Sequence, residues 1–108
     1  MAEKDFVAVA LIGELAPGQM KTLELGGHRI LLANAAGSYY AVDEMCSHED
    51  YSLALGCIKG RRIKCSLHGS WFSLETGAPQ EPPADEPIAT FRLEVRDGRL
   101  LLDPSRAA

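Results

Sequence analysis

Alternation of apolar and polar positions dominates both ends of the chain and fades in the middle. Phe91, Leu93 and Val95 alternate with Arg92, Glu94 and Arg96; Asp97-Gly98 then turns the chain into Arg99-Leu100-Leu101-Leu102. Period-two patterning around a two-residue Asp-Gly link predicts an antiparallel hairpin with one buried and one wet face. At the other end, Phe6 to Leu11 is a short, partly β-branched apolar run that ends at Gly13 and Pro17-Gly18, which predicts a strand and then a turn. Leu23-Glu24-Leu25 and His28 to Ala33 flank Gly26-Gly27, a second hairpin link; Asn34-Ala35-Ala36-Gly37 leads into a third run, Ser38 to Met45. An antiparallel meander follows from these runs.

Between the patterned ends, residues 46–87 are rich in Gly, Pro, Ser and ligand-type side chains, and read as loops with short strands such as Arg62-Ile63-Lys64. Pro79, Pro82, Pro83 and Pro87 stiffen the end of that region and bar it from a central strand. With no long amphipathic stretch, no repeat and no low-complexity tract, the expected fold class is all-β. The chain's 108 residues have room for one domain, residues 1–108, with a ligand-bearing part at about 45–87 inserted between β-rich flanks. So small a core gains from a metal staple.

Eleven cations against fifteen carboxylates, net −4, disfavour a sequence-independent role on phosphate backbones, so nucleic acid is not an expected partner. No stretch approaches a membrane span, and Met1 to Asp5 is polar with no apolar signal segment behind it, so a cytoplasmic location is expected and no membrane. Three cysteines, an odd number, point to reduced thiols or metal ligands rather than a disulfide framework.

Two of those cysteines lie close to histidines, as Cys46-Ser47-His48 and, after 16 intervening residues, Cys65-Ser66-Leu67-His68. One short loop cannot readily close a tetrahedron with its own pair, but two loops side by side supply four ligands. Zinc is one reading, although structural zinc sites usually keep like ligands together. Here thiolate and imidazole are mixed within each loop. Two facing loops can set both cysteines on one side and both histidines on the other, the donor set of a binuclear centre with one sulfur-held and one nitrogen-held iron.

At these residues the chain resembles the Rieske-type ferredoxins that serve bacterial aromatic-ring-hydroxylating oxygenases. The resemblance spans most of the chain and rests on C-x-H at 46–48, C-x2-H at 65–68, His68-Gly69-Ser70, Gly77-Ala78-Pro79 and the β-rich flanks. It implies a β-sandwich or barrel with a loop-built subdomain at one tip, and one 2Fe-2S cluster. Cys46 and Cys65 would hold the buried iron, His48 and His68 the outer one. It further implies that Pro79 to Pro87 packs over the cluster. Respiratory Rieske proteins add a disulfide across the cluster and a serine and tyrosine as donors to it. Here Glu49-Asp50 and Leu67 stand in the loops with no such cysteine pair, Ser70 matches the serine, and Phe72 replaces the tyrosine without a hydroxyl. Fewer donors, with acid beside His48, imply a potential towards the lower end of the Rieske range, about −150 mV to zero.

Outside the motifs the readings are plainer. Cys57 is expected to pack as a small hydrophobe, and His28 to be a surface residue. Trp71 and Phe72 are either docking aromatics or core shields of the sulfurs; Leu67 is expected at an apolar rim used in docking. Glu49, Asp50, Asp85 and Glu86 are read as a solvated face, with steering of a basic partner as the alternative, and Arg61-Arg62 counters part of that field. No nucleophile elbow, phosphate loop or dinucleotide fingerprint is present, and the cluster would use all four strong ligands. The expected activity is therefore one-electron carriage from a flavin-containing ferredoxin reductase to the terminal oxygenase of an aromatic-ring dioxygenase, with transient docking near His48 and His68 and no catalysis by the chain itself. An oxygenase subunit would need a second, catalytic domain. The rivals are a Rieske-like small subunit of a nitrite reductase or another reductase complex, and, from a different class, a zinc-stabilised binding module.

Overall fold

The computed structural model describes residues 6–25, 27–45, 52–65, 69–80 and 86–107, with the side chains of 104–107 excepted. The Asp97-Gly98 link acts as anticipated, whereas the link expected over Asn34-Ala35-Ala36-Gly37 narrows to its last two residues. Ala36-Gly37 and Asp97-Gly98 carry positive φ at both residues, 54° and 94° in the first and 56° and 74° in the second. That is the backbone of a primed turn, whose twist matches the strands it joins. The first joins β3 (His28–Ala35) to β4 (Ser38–Asp43), and the second joins β8 (Thr90–Arg96) to β9 (Arg99–Ala107). β2 (Met20–Leu25) pairs with β3 from Leu25 opposite His28 to Met20 opposite Ala33. β1 (Val7–Leu11) pairs with β9.

These six strands form one antiparallel sheet in the order β1-β9-β8-β4-β3-β2, curled into a half-barrel. Three short strands, β5 (Cys57–Lys59), β6 (Arg62–Lys64) and β7 (Trp71–Ser73), make a second sheet in sequence order. Among the described residues the only helical pieces are two single 3-10 turns, Ile12–Glu14 and Leu53–Leu55. The all-β expectation is met.

β3 organises the interior. From Ile30 to Ala35 every residue is buried, so the strand faces apolar packing on both sides. Leu31, Ala33 and Ala35 join Val42, Leu53, Ile63, Cys65, Phe72, Leu74 and Ile88 in one core. Ile30 and Leu32 join Leu15, Ala41, Phe91, Leu100 and Leu102 in the other. The first core lies between the large sheet and the small one, and it contains the thiol of Cys65.

Two strand expectations need correction. Asn34 and Ala35, expected in the link ahead of Ser38, instead continue β3. The buried Asn34 side chain donates to the Leu15 carbonyl and accepts from the Gly37 amide, both at 2.8 Å, so its polar atoms are satisfied within the strand. Val95, expected on a buried face, is 54% exposed. β8 pairs with β4 only at Thr90 and Phe91, and a register shift follows between Phe91 and Leu93, so nothing covers the hairpin's outer end.

Candidate metal centre

The second cysteine-histidine motif occupies the closing loop of the β6–β7 hairpin. Pairing runs from Arg62 opposite Ser73 through Ile63 opposite Phe72 to Lys64 opposite Trp71. Beyond it the Cys65 amide donates to the Ser70 carbonyl at 2.7 Å, and the Gly69 amide donates to the Cys65 carbonyl at 2.9 Å. Cys65 is thus the first residue of the loop. It is 1% exposed within the inter-sheet core, and its thiol is not in a disulfide. Ser70, the last residue of the loop, is also fully buried.

The first motif begins one residue after a similar closure. Met45 forms an antiparallel bridge with Ser52, and the Leu53 amide donates to the Glu44 carbonyl at 2.7 Å. Side chains lock this base. The Ser52 hydroxyl donates to Glu44 Oε2 at 2.7 Å and accepts from the Ala54 amide at 3.1 Å, and Arg29 pairs with the same carboxylate at 3.3 Å. Glu44 is itself buried, so the Ser52 and Arg29 contacts stabilise a charge that would otherwise be costly to desolvate.

One short turn couples the two bases. Leu53–Leu55 starts at Ser52, and the turn ends at Gly56, whose backbone lies on β6. A Cβ on Gly56 would stand 1.7 Å from the Lys64 carbonyl oxygen, immediately before Cys65. Only glycine allows that approach. A third segment is anchored alongside: the Ile88 amide donates to the Gly77 carbonyl at 2.9 Å, Phe72 bridges Pro79, and the Gln80 amide donates to the Trp71 carbonyl. Both described ends of the proline-containing segment are thus hydrogen-bonded close to β7.

Of the four ligand candidates, Cys65 lies within the described residues; Cys46, His48 and His68 lie outside them, as do Glu49, Asp50, Leu67 and Asp85. Among the described residues no group of three His, Cys, Asp or Glu side chains is placed to hold a metal. The donor chemistry fits an iron-sulfur centre at the one ligand candidate that is described. A buried, unpaired thiol heads a tight loop, and apolar neighbours such as Phe72 and Ile63 shield it from water.

Phe72 is core, fully buried beside Cys65, whereas Trp71 is half-exposed under Arg62 and Lys64. Cys57 corrects the expectation of packing: it is exposed, because β5 is an edge strand and turns Ile58 inward instead. His28 is half-buried and meets the Phe91 ring edge-on at 5.5 Å, so it is more than a surface residue. Arg61 pairs with Glu75 at 3.6 Å. Glu44, Ser52 and Gly56 escaped the sequence reading as parts of the site. Ser52 before Leu53-Ala54-Leu55 carried a visible helix-cap signal; Glu44 and Gly56 carried none, since their roles depend on partners distant in sequence.

A chain with this architecture has clear relatives. The Rieske 2Fe-2S domain model matches residues 5–92. The ferredoxin component of biphenyl 2,3-dioxygenase from Rhodococcus jostii is 35% identical over 91 residues, covering 84% of this chain and 85% of that protein. Among solved structures, the ferredoxin of carbazole 1,9a-dioxygenase from Nocardioides aromaticivorans superposes with a TM-score of 0.88 at 28% identity, covering 93% of this chain and 98% of the other. A chain from the complex of reduced oxygenase and oxidised ferredoxin of carbazole 1,9a-dioxygenase superposes with a TM-score of 0.90 at 25% identity, covering 96% and 97%. Fold, loop architecture and kinship agree: the chain belongs to the Rieske 2Fe-2S domain family, whose cofactor is a single 2Fe-2S cluster.

Proposed function

We propose that this chain is a Rieske ferredoxin, a one-electron carrier that takes electrons from a flavoprotein reductase and delivers them to the terminal oxygenase of an aromatic-ring dioxygenase. The observation that carries the reading is the buried Cys65 at the head of the 65–70 loop, whose base is joined through Gly56 to the base of the loop holding Cys46 and His48. Both motifs fall inside the family match, and relatives covering most of the chain are ferredoxin components. Cys46, His48, Cys65 and His68 are the ligands in this reading, and residues 1–108 form one domain with the cluster-binding part at about 45–87.

A bound cluster of this type stores one electron at a potential raised above that of all-cysteine clusters, because neutral imidazoles replace two thiolates. The chain's residues divide the remaining work. Cys46 and Cys65 would hold one iron through their sulfurs, and His48 and His68, two and three residues further along the sequence, would hold the other through a ring nitrogen and leave the second ring nitrogen available to a partner. Phe72 and Ile63 keep water from the Cys65 sulfur. The Arg29–Glu44–Ser52 set holds the first loop's base in place. With all four ligands committed, no position is left for substrate or oxygen, so the chain carries electrons and leaves oxidation to its partner. The exposed free thiol of Cys57 suits the reducing cytoplasm, and no helix among the described residues is long and apolar enough to cross a membrane.

Low-temperature electron paramagnetic resonance of the dithionite-reduced protein, with iron and sulfide analysis, tests this reading. The expected result is a rhombic Rieske-type signal with about two irons and two sulfides per chain, abolished in His48→Ala and in His68→Ala. One zinc, no iron and no signal after anaerobic purification would overturn it in favour of a zinc-stabilised module.

A further inference from the structure

The small sheet has two unlike faces. Ile58, Ile63 and Phe72 turn inward. Residues directly opposite on paired strands share a face. Cys57 opposite Lys64, Lys59 opposite Arg62, Lys64 opposite Trp71 and Arg62 opposite Ser73 therefore all stand on the outer one.

That outer face is basic in an acidic protein. From Tyr51 to Leu74 the chain has no Asp or Glu but has Lys59, Arg61, Arg62 and Lys64; the rest carries seven cations against fifteen carboxylates. Arg61 is paired with Glu75, whereas no carboxylate among the described residues pairs with Lys59, Arg62 or Lys64. Placing Lys59 directly opposite Arg62 costs stability, since like charges on a cross-strand pair repel. Arg62 and Lys64 lie over the Trp71 ring, at 4.7 and 5.7 Å from its centroid, leaving a half-exposed aromatic framed by cations. Trp and Arg are the residue types that most often anchor protein interfaces.

We propose that this face, centred on Lys59, Arg62, Lys64 and Trp71, is where an acidic surface of an electron-transfer partner docks. The proposal rests on the electron-carrier reading above. Its second support is continuity with the site: Lys64 and Trp71 are the last paired residues before the Cys65–Ser70 closure, so the face borders the base of the loop whose sequence contains His68. The local positive field draws in a carboxylate-rich surface that the chain's net charge would repel. A polynucleotide is a poorer fit, because a phosphate track extending past this small face meets the eight net negative charges of the rest of the chain.

The test is voltammetry of the cluster-loaded protein on gold bearing either a carboxylate-terminated or an amine-terminated monolayer, at low salt. Wild type is expected to adsorb and exchange electrons on the carboxylate surface, and to lose that response as ionic strength rises from about 10 mM to about 150 mM and the screening length falls from about 30 to about 8 Å. K59Q/R62Q is expected to lose about tenfold or more of the carboxylate-surface response, with its paramagnetic resonance signal unchanged. Exchange confined to the amine surface, exchange on neither surface by protein that shows the cluster signal, or an unaltered response in K59Q/R62Q overturns the proposal. So does tighter retention by duplex DNA than by the carboxylate surface at about 150 mM salt. Absence of the cluster signal defeats the electron-carrier reading instead, so the two failures are separable.

Discussion

Gly56 is the residue on which the two ligand loops lean most heavily. Its φ of −94° is open to any L-residue, so its identity is explained by contact: a Cβ would sit 1.7 Å from the Lys64 oxygen and 2.9 Å from the Lys64 carbon. Gly56→Ala must therefore push the Leu53–Leu55 turn and the end of β6 apart. The expected cost is about 1–3 kcal/mol, visible as a lower urea midpoint, together with reduced iron per chain. The same substitution at Gly13, which has nothing within 4 Å of its would-be Cβ, should leave iron content unchanged.

At the scale of the element, β3 separates structural support from site support. Leu31 and Leu32 are neighbours, both fully buried, yet they face opposite cores. Leu31 shares its core with Cys65, Phe72 and Ile63; Leu32 shares its core with Phe91, Leu100 and Leu102. Truncating either to alanine should cost about 2–5 kcal/mol. Only Leu31→Ala, however, should broaden or shift the cluster's resonance signal, because the cavity opens on the Cys65 side. Equal spectral change in both variants would show that the two cores do not relax independently.

For the molecule as a whole, charge and hydrogen bonding set the potential. Phe72 is core beside Cys65 and brings no hydroxyl, and the chain carries a net charge of −4. Both features favour the form with less negative charge, the oxidised one. A midpoint of about −150 mV to zero is expected, towards the lower part of the Rieske span; direct voltammetry measures it, and a value near the upper end of about +300 mV would contradict the argument. The basic small-sheet face adds a local exception to the global charge, which steers encounter more than it shifts the potential.

What the sequence determined by itself was local. Asp97-Gly98 specifies a tight turn through backbone conformation, alternating side chains specify strands, and C-x-H with C-x2-H offers thiolate and imidazole donors within each short motif. Each of these signals lies within a few residues. Tertiary structure decided which surfaces meet. That β3 is buried on both faces, that Asn34 belongs to a strand, that Val95 is bare at the hairpin's end and that Cys57 points outward all follow from which elements pack where. The same holds for Glu44 beneath the first loop and for Gly56 against Lys64. Burial and register are properties of pairs far apart in the chain, and no short window of sequence contains both members of such a pair.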